Sequence, residues 1–180
     1  MRQRPCGLLS VLHPAPAVTR LLAATRLLCT GMLVGLSMTA CAAQSGIVVR
    51  FDPASSTGTT DALTTLDLRI DNASNLWGVG LKLTYDPRIV ECVQSQVGTM
   101  PTPEIVARNS CASGTAEYIV SQKAPSAPAQ GSGSMVRLTF KCLNAGTTPL
   151  HFESLKIVDR DGLSLPRDVV EGEILCPKKP

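Results

Sequence analysis

From residue 47 almost to the end of the chain, apolar and polar residues alternate, the period of strands with one face in a core and the other in water. In Leu66-Asp67-Leu68-Arg69-Ile70-Asp71 the aliphatic side chains point one way and the charges the other. Val79-Gly80-Leu81-Lys82-Leu83-Thr84-Tyr85 and Val136-Arg137-Leu138-Thr139-Phe140-Lys141 repeat the pattern, and no stretch beyond residue 46 has a helical period. Turn formers interrupt the runs at Asp71–Asn75, Asp86-Pro87, Gly98–Pro103, Asn144–Gly146 and Asp159–Gly162. The longest interruption, Ala124–Gly133, is Pro, Ala, Ser, Gln and Gly, and is expected to be a mobile loop that does not pack. About nine strands follow, at 47–52, 63–71, 77–85, 89–97, 104–110, 115–123, 134–143, 149–158 and 169–176. Short strands joined by regular turns fold as one all-β sandwich or barrel, here spanning 47–176 with a tail at 177–180.

The first forty residues are of another kind. Arg2, Arg4, Arg20 and Arg26 precede an apolar run, Leu27–Met38, and then small residues, the order of a secretory signal. The run is short of the roughly 20 residues that cross a bilayer. Met38-Thr39-Ala40-Cys41 resembles a bacterial lipobox, in which the cysteine is acylated and becomes the new N-terminus. The reading is therefore a signal over 1–40, lipidation of Cys41 and a short tether over 41–46, giving an exported protein held on the cell envelope. Plain cleavage near Ala40, Ala42 or Ala43, giving a secreted protein, is the alternative.

Export changes how charge and cysteine are read. Four of the seventeen Lys and Arg residues lie in the signal, leaving thirteen against fourteen Asp and Glu, a net charge of −1. No basic stripe remains for nucleic acid. Cys6 and Cys29 leave with the signal, and Cys92, Cys111, Cys142 and Cys176 stay, an even number suited to two disulfides in an exported domain. Their spacing is too wide for the close ligand pairs of a zinc site, so neither a metal nor a cofactor is expected.

No catalytic residues are nominated, and the chain is read as not an enzyme. A hydrolase triad needs a histidine to relay the proton, and His151, the one histidine after the signal, sits on an expected strand as an exposed residue or a partner contact. Glu91, Glu104, Glu117 and Glu153 are scattered over strand faces without forming a pair of the glycosidase kind. Asp159-Arg160-Asp161-Gly162 lacks the further acids of an EF-hand and reads as a β-turn. Strand parity sends Trp77, Tyr85, Phe140 and Phe152 toward the core, with Tyr118 beside them, leaving little for an aromatic sugar platform, although a rim position stays open for Trp77 because it is at a strand start.

Residues 76 to 98, Leu-Trp-Gly-Val-Gly-Leu-Lys-Leu-Thr-Tyr-Asp-Pro-Arg-Ile-Val-Glu-Cys-Val-Gln-Ser-Gln-Val-Gly, resemble the cohesin family, in which an alternating strand ends in Tyr-Asp-Pro and an apolar strand leads on to a glycine. The order continues through Gly133-Ser-Met-Val-Arg-Leu-Thr-Phe-Lys-Cys142, Gly146-Thr-Thr-Pro-Leu-His-Phe152, the turn Asp159–Gly162 and Val170-Glu-Gly-Glu-Ile174. The resemblance implies a nine-stranded jelly-roll sandwich with sheets ordered 8-3-6-5 and 9-1-2-7-4. It also implies a non-catalytic binding module for dockerin-like partners, with Ca²⁺ on the partner's side, in the assembly or tethering of polysaccharide-degrading proteins. The binding surface would be the outer face of the 8-3-6-5 sheet, carrying Gly78, Gly80, Lys82 and Thr84 from the third strand, Glu117, Ile119 and Ser121 from the sixth, and His151 and Glu153 from the eighth. Many dockerin-binding members have Asn and Asp where this chain has Gly78 and Gly80, and glycine offers a partner no hydrogen-bonding side chain. The same topology places all four cysteines at one end and favours Cys92–Cys111 and Cys142–Cys176 among the three formal pairings. A carbohydrate-binding module of the same superfamily, taking polysaccharide directly, and a structural or adhesive surface domain are the alternative functions.

Overall fold

The computed structural model describes residues 46–59 and 62–178; the segment read as a signal, Cys41, the tether as far as Ser45 and the last two residues lie outside the described residues. Among the described residues are eleven strands: β1 (Ile47–Asp52), β2 (Ser55–Thr57), β3 (Leu63–Leu76), β4 (Gly78–Thr84), β5 (Val90–Val97), β6 (Ile105–Ala112), β7 (Thr115–Ser121), β8 (Ala129–Cys142), β9 (Gly146–Val158), β10 (Arg167–Val170) and β11 (Gly172–Cys176). They form two sheets, ordered β10-β1-β3-β8-β5 and β2-β11-β9-β4-β7-β6. The nine-stranded jelly-roll plan is present, with one short strand added and the last strand divided.

Alternation places the core. Leu66, Leu68, Ile70, Phe51, Leu138 and Phe140 of the first sheet meet Val79, Leu81, Leu83, Tyr118, Val120, Leu150 and Ile157 of the second, all buried. Each such side chain contributes about 1.5–3 kcal/mol by leaving water. Tyr85 meets Phe140 edge to face at 5.3 Å between centroids, and Phe51 meets Phe152 at 5.6 Å.

The final strand departs from the sequence reading. Residues 169–176 do not form one strand: β10 pairs parallel with β1, and β11 pairs antiparallel with β9. The chain changes sheets at Glu171-Gly172. A Cβ on Gly172 would stand 2.7 Å from the buried Phe51 ring, so only glycine lets the backbone cross that closely over the core. β2, which pairs with β11, has too few and too polar residues to stand out in the sequence.

A second departure concerns the segments read as breakers. Asp71–Asn75 belongs to β3, and Ala129–Gly133 of the expected mobile loop belongs to β8. The two pair through register shifts, with Ala73 opposite Gly131 and Leu76 opposite Ala129. Asn72 and Asn75 take φ of 56° and 57°, a left-handed conformation that asparagine tolerates better than most residues, and this keeps Ala73 and Leu76 buried. The rest of the loop is held by side chains. Buried Gln122 donates to the Ala127 carbonyl at 2.8 Å and accepts from the Ala129 N–H at 3.1 Å. The Glu104 carboxylate accepts from the Lys123 N–H at 2.6 Å and the Ser126 hydroxyl at 2.7 Å.

Of the three formal cysteine pairings, the structure holds Cys92–Cys111 and Cys142–Cys176. The first joins edge strands β5 and β6 of opposite sheets; the second joins the ends of β8 and β11.

The outer face of the β1-β3-β8 sheet is a lattice of matched charges. Arg137 grips Asp67 with two bonds of 2.7 and 2.9 Å, Arg50 bonds Asp71 at 2.7 Å, and Arg69 approaches Asp52 at 3.8 Å. The Arg137 hydrogen bonds hold the Asp67 carboxyl below its ordinary range. The Arg88 side chain does the same for Asp86, and the Lys123 N–H and Ser126 for Glu104. A carboxyl whose folded pKa is depressed stabilises the fold above its unfolded pKa, and that contribution is lost as pH falls through the folded value. Denaturant midpoints measured against pH should hold steady above about pH 5 and fall below about pH 4. In Asp67→Asn the acid loss should be shallower, and an unchanged profile would count against this origin.

A candidate partner-binding face

The β9-β4-β7-β6 outer face is set by register. Val79, Leu81 and Leu83 of β4 point into the core, so Gly80, Lys82 and Thr84 face outward. On β7, Glu117, Ile119 and Ser121 lie opposite Lys82, Gly80 and Gly78 and also face outward, while Tyr118 and Val120 are buried. Burial pushes the Tyr118 phenol up to about 12. Gly78 belongs to the same row but is buried, wedged between Val158 and Ser121. His151 and Glu153 are exposed on β9.

Parity alone misses part of this face. β9 carries a register shift at Glu153, so its outward set changes from His151 and Glu153 to Ser154, Lys156 and Val158. Lys156 then lies beside Gly80, and Val158 beside Gly78. The polar doublet Glu153-Ser154 is the sequence sign of this bulge, since strict alternation cannot contain it. β6 adds Ile105 opposite Ser121 and Arg108 opposite Ile119, after a shift of its own at Ala107.

The face has two halves. Toward the disulfide end it is polar: Lys82 pairs with Glu153 at 3.0 Å, Arg108 with Glu117 at 3.3 Å, and His151 with Glu171. Toward the other end lies a shallow trough of about 270 Å³ lined by Gly78, Gly80, Ile119, Ser121, Lys156 and Val158. Ile119 is 45% exposed and Ile105 46%, large values for isoleucine. The neighbouring Asp159–Gly162 segment is a turn: the Asp159 carboxylate accepts from the Asp161 and Leu163 N–H groups at 3.0 and 2.8 Å, and Gly162 takes a φ of 78°.

Trp77 is not in the core, contrary to the parity reading. Trp77 stands just before β4, its N–H donating to the Val158 carbonyl at 2.8 Å and its carbonyl accepting from the Gln122 N–H at 2.9 Å. The ring is half-buried at the strand's start, with the Arg160 guanidinium 5.2 Å from its centroid. A ring so covered is a poor platform for stacking a sugar. Among the described residues, no three His, Cys, Asp or Glu side chains converge as metal ligands do. A depression of about 400 Å³ at the disulfide end, lined by Tyr85, Cys92 and Cys111 among others, has one carboxylate, Glu91, in its lining.

No protein-family profile and no curated protein matches the sequence. In three dimensions the likeness is extensive. A non-cellulosomal cohesin from the archaeon Archaeoglobus fulgidus superposes with a TM-score of 0.60 at 15% identity, over 74% of this chain and 91% of that one. The seventh ScaB type I cohesin of Pseudobacteroides cellulosolvens gives 0.62 at 14% identity, over 75% and 95%. A chain of the Coh-OlpA–Doc918 type I cohesin–dockerin complex from Clostridium thermocellum gives 0.62 at 13% identity, over 73% and 99%. The fold of this chain is therefore that of cohesin domains.

Proposed function

We propose that this chain is a non-catalytic binding module that holds a dockerin-like protein through the outer face of β9, β4, β7 and β6. The contrast between the two sheets carries this reading. Ion pairs cover part of both outer faces, and the exposed Leu63 of the first sheet lies at the very start of β3, whereas the β9-β4-β7-β6 face holds a trough with a glycine floor bordered by the half-exposed Ile119. Cohesin–dockerin complexes among its structural neighbours supply the partner class. Calcium belongs to the partner. The alternative of direct polysaccharide binding has no open aromatic ring in its favour.

Export and acylation at Cys41 complete the proposal and place the module on the cell envelope, near the polysaccharide-degrading proteins that dockerins serve. Intact mass of the purified native protein tests this part: a chain starting at Cys41 with added acyl mass is expected. A Cys41 start without that mass would reduce the anchor to secretion.

The chain from Ala42 onward, one compact unit, serves as bait against the host's secreted proteins with and without a Ca²⁺ chelator. A dockerin-bearing protein should be retained in Ca²⁺ and released by the chelator, and Ile119→Asp should weaken its retention at least tenfold. If no dockerin-bearing protein is retained under either condition, the dockerin reading is wrong.

A further inference from the structure

We infer that the trough over Gly78 and Gly80 receives an apolar side chain of the protein partner, set beside a partner carboxylate that meets Lys156. The inference rests on the reading of this face as a partner surface and adds the chemistry of the contact.

Backbone conformation does not require these glycines: neither is among the residues of positive φ. Nor does core packing require glycine at Gly80, since an added Cβ would have as its nearest atom Ile119 Cγ1, at 4.0 Å. Glycine in a strand interior costs stability without filling any space. Packing accounts for Gly78, where a Cβ would stand 3.2 Å from Val158 Cγ2; Gly80 is the open position, and it leaves a bare floor with Ile119 on one side and Lys156 and Val158 on the other. A polar pair on a partner would gain no hydrogen-bonding side chain from this floor and would lose water. An apolar side chain seated there would cover Ile119 and Val158.

Charge selects the neighbour. Lys82 and Arg108 are matched by Glu153 and Glu117, and Lys156, which lies beside Gly80, belongs to neither pair. An acidic group next to the apolar anchor is the complement of that rim. At about 270 Å³ and open to solvent, the trough falls below the roughly 300–1,000 Å³ of small-molecule pockets, and no aromatic residue lines it.

The test uses a yeast-displayed library built on a Ca²⁺-loaded dockerin, with two adjacent exposed helix positions randomised and the chain from Ala42 onward as target. Enriched clones should carry Leu, Ile, Met or Phe beside Asp or Glu. They should bind Gly80→Leu, which fills the trough from an open position, at least tenfold more weakly than wild type. Lys156→Glu should weaken them about tenfold, and Gln96→Leu on the opposite sheet should leave them unchanged. A thermal midpoint for Gly80→Leu within a few degrees of wild type shows that folding is intact. Enriched clones with polar pairs that ignore Gly80→Leu yet lose binding to Lys82→Glu would overturn the trough and leave the partner face standing. If no clone is enriched, the face reading falls and the trough with it.

Discussion

Replacing Cys142 and Cys176 together with alanine should lower the free energy of unfolding by about 4 kcal/mol, the chain-entropy expectation for the 34-residue separation they close. A small domain has only about 5–15 kcal/mol in total, so a loss of this size removes roughly a quarter to most of it. Its melting point should drop by on the order of 10–15 °C. The position of the bridge explains why the loss should be felt throughout the fold. β11 is five residues long and lies between β9 and the three-residue β2, and Cys176 ties its end to the end of β8 in the other sheet. Both cysteines are buried, and Gly58 lies against them so closely that a Cβ there would meet Cys142 Sγ at 2.5 Å. Losing Cys92–Cys111, with a separation of 19 residues, should cost about 3 kcal/mol by the same argument. Urea unfolding of each double variant in oxidising buffer is the measurement. A midpoint unchanged without Cys142–Cys176 would show that the bridge is incidental.

Gly98→Ala should be nearly as damaging, at about 3 kcal/mol, the upper end of ordinary overpacking costs. The added Cβ would stand 2.2 Å from the Ser134 carbonyl oxygen and 2.6 Å from the Met135 backbone, and backbone cannot rotate aside as a side chain can. The local hydrogen bonds hold it there: Gly98 donates to the Met135 carbonyl, and Thr99 and Met100 both donate to the Ser134 carbonyl, at 2.8–2.9 Å. Shifting this segment would break those bonds. Gly80→Ala is the control of opposite sign. Its Cβ meets open space, so the variant should gain about 0.5 kcal/mol by narrowing the unfolded ensemble. Equal effects of the two substitutions on the denaturant midpoint would refute the close-approach argument.

The alternation in Leu66–Asp71 and Val79–Thr84 was enough to place these strands and choose their buried faces, because side-chain direction in a strand depends only on position within it. The breakers were less legible. Asn72 and Asn75 carry turn chemistry, yet here they serve as bulges within β3, because β8 supplies a partner strand that keeps Ala73 and Leu76 in the core. Trp77 keeps backbone hydrogen bonds to Val158 and Gln122 but stands at the end of its row, where the ring is only half-buried beside Arg160. On the candidate face, Lys82, Glu117 and Ile119 followed from parity. Lys156, Val158 and Arg108 did not, because each lies beyond a bulge.

Local alternation and an ordered series of short motifs suffice for the all-β class, the strands, most of the core and the kinship of the fold. Where the last strand divides, and that a glycine floor lies beside Lys156 on the partner face, depends on how distant segments meet. Gly172 is glycine because Phe51 lies beneath it, and Lys156 reaches Gly80 because of one extra residue in β9.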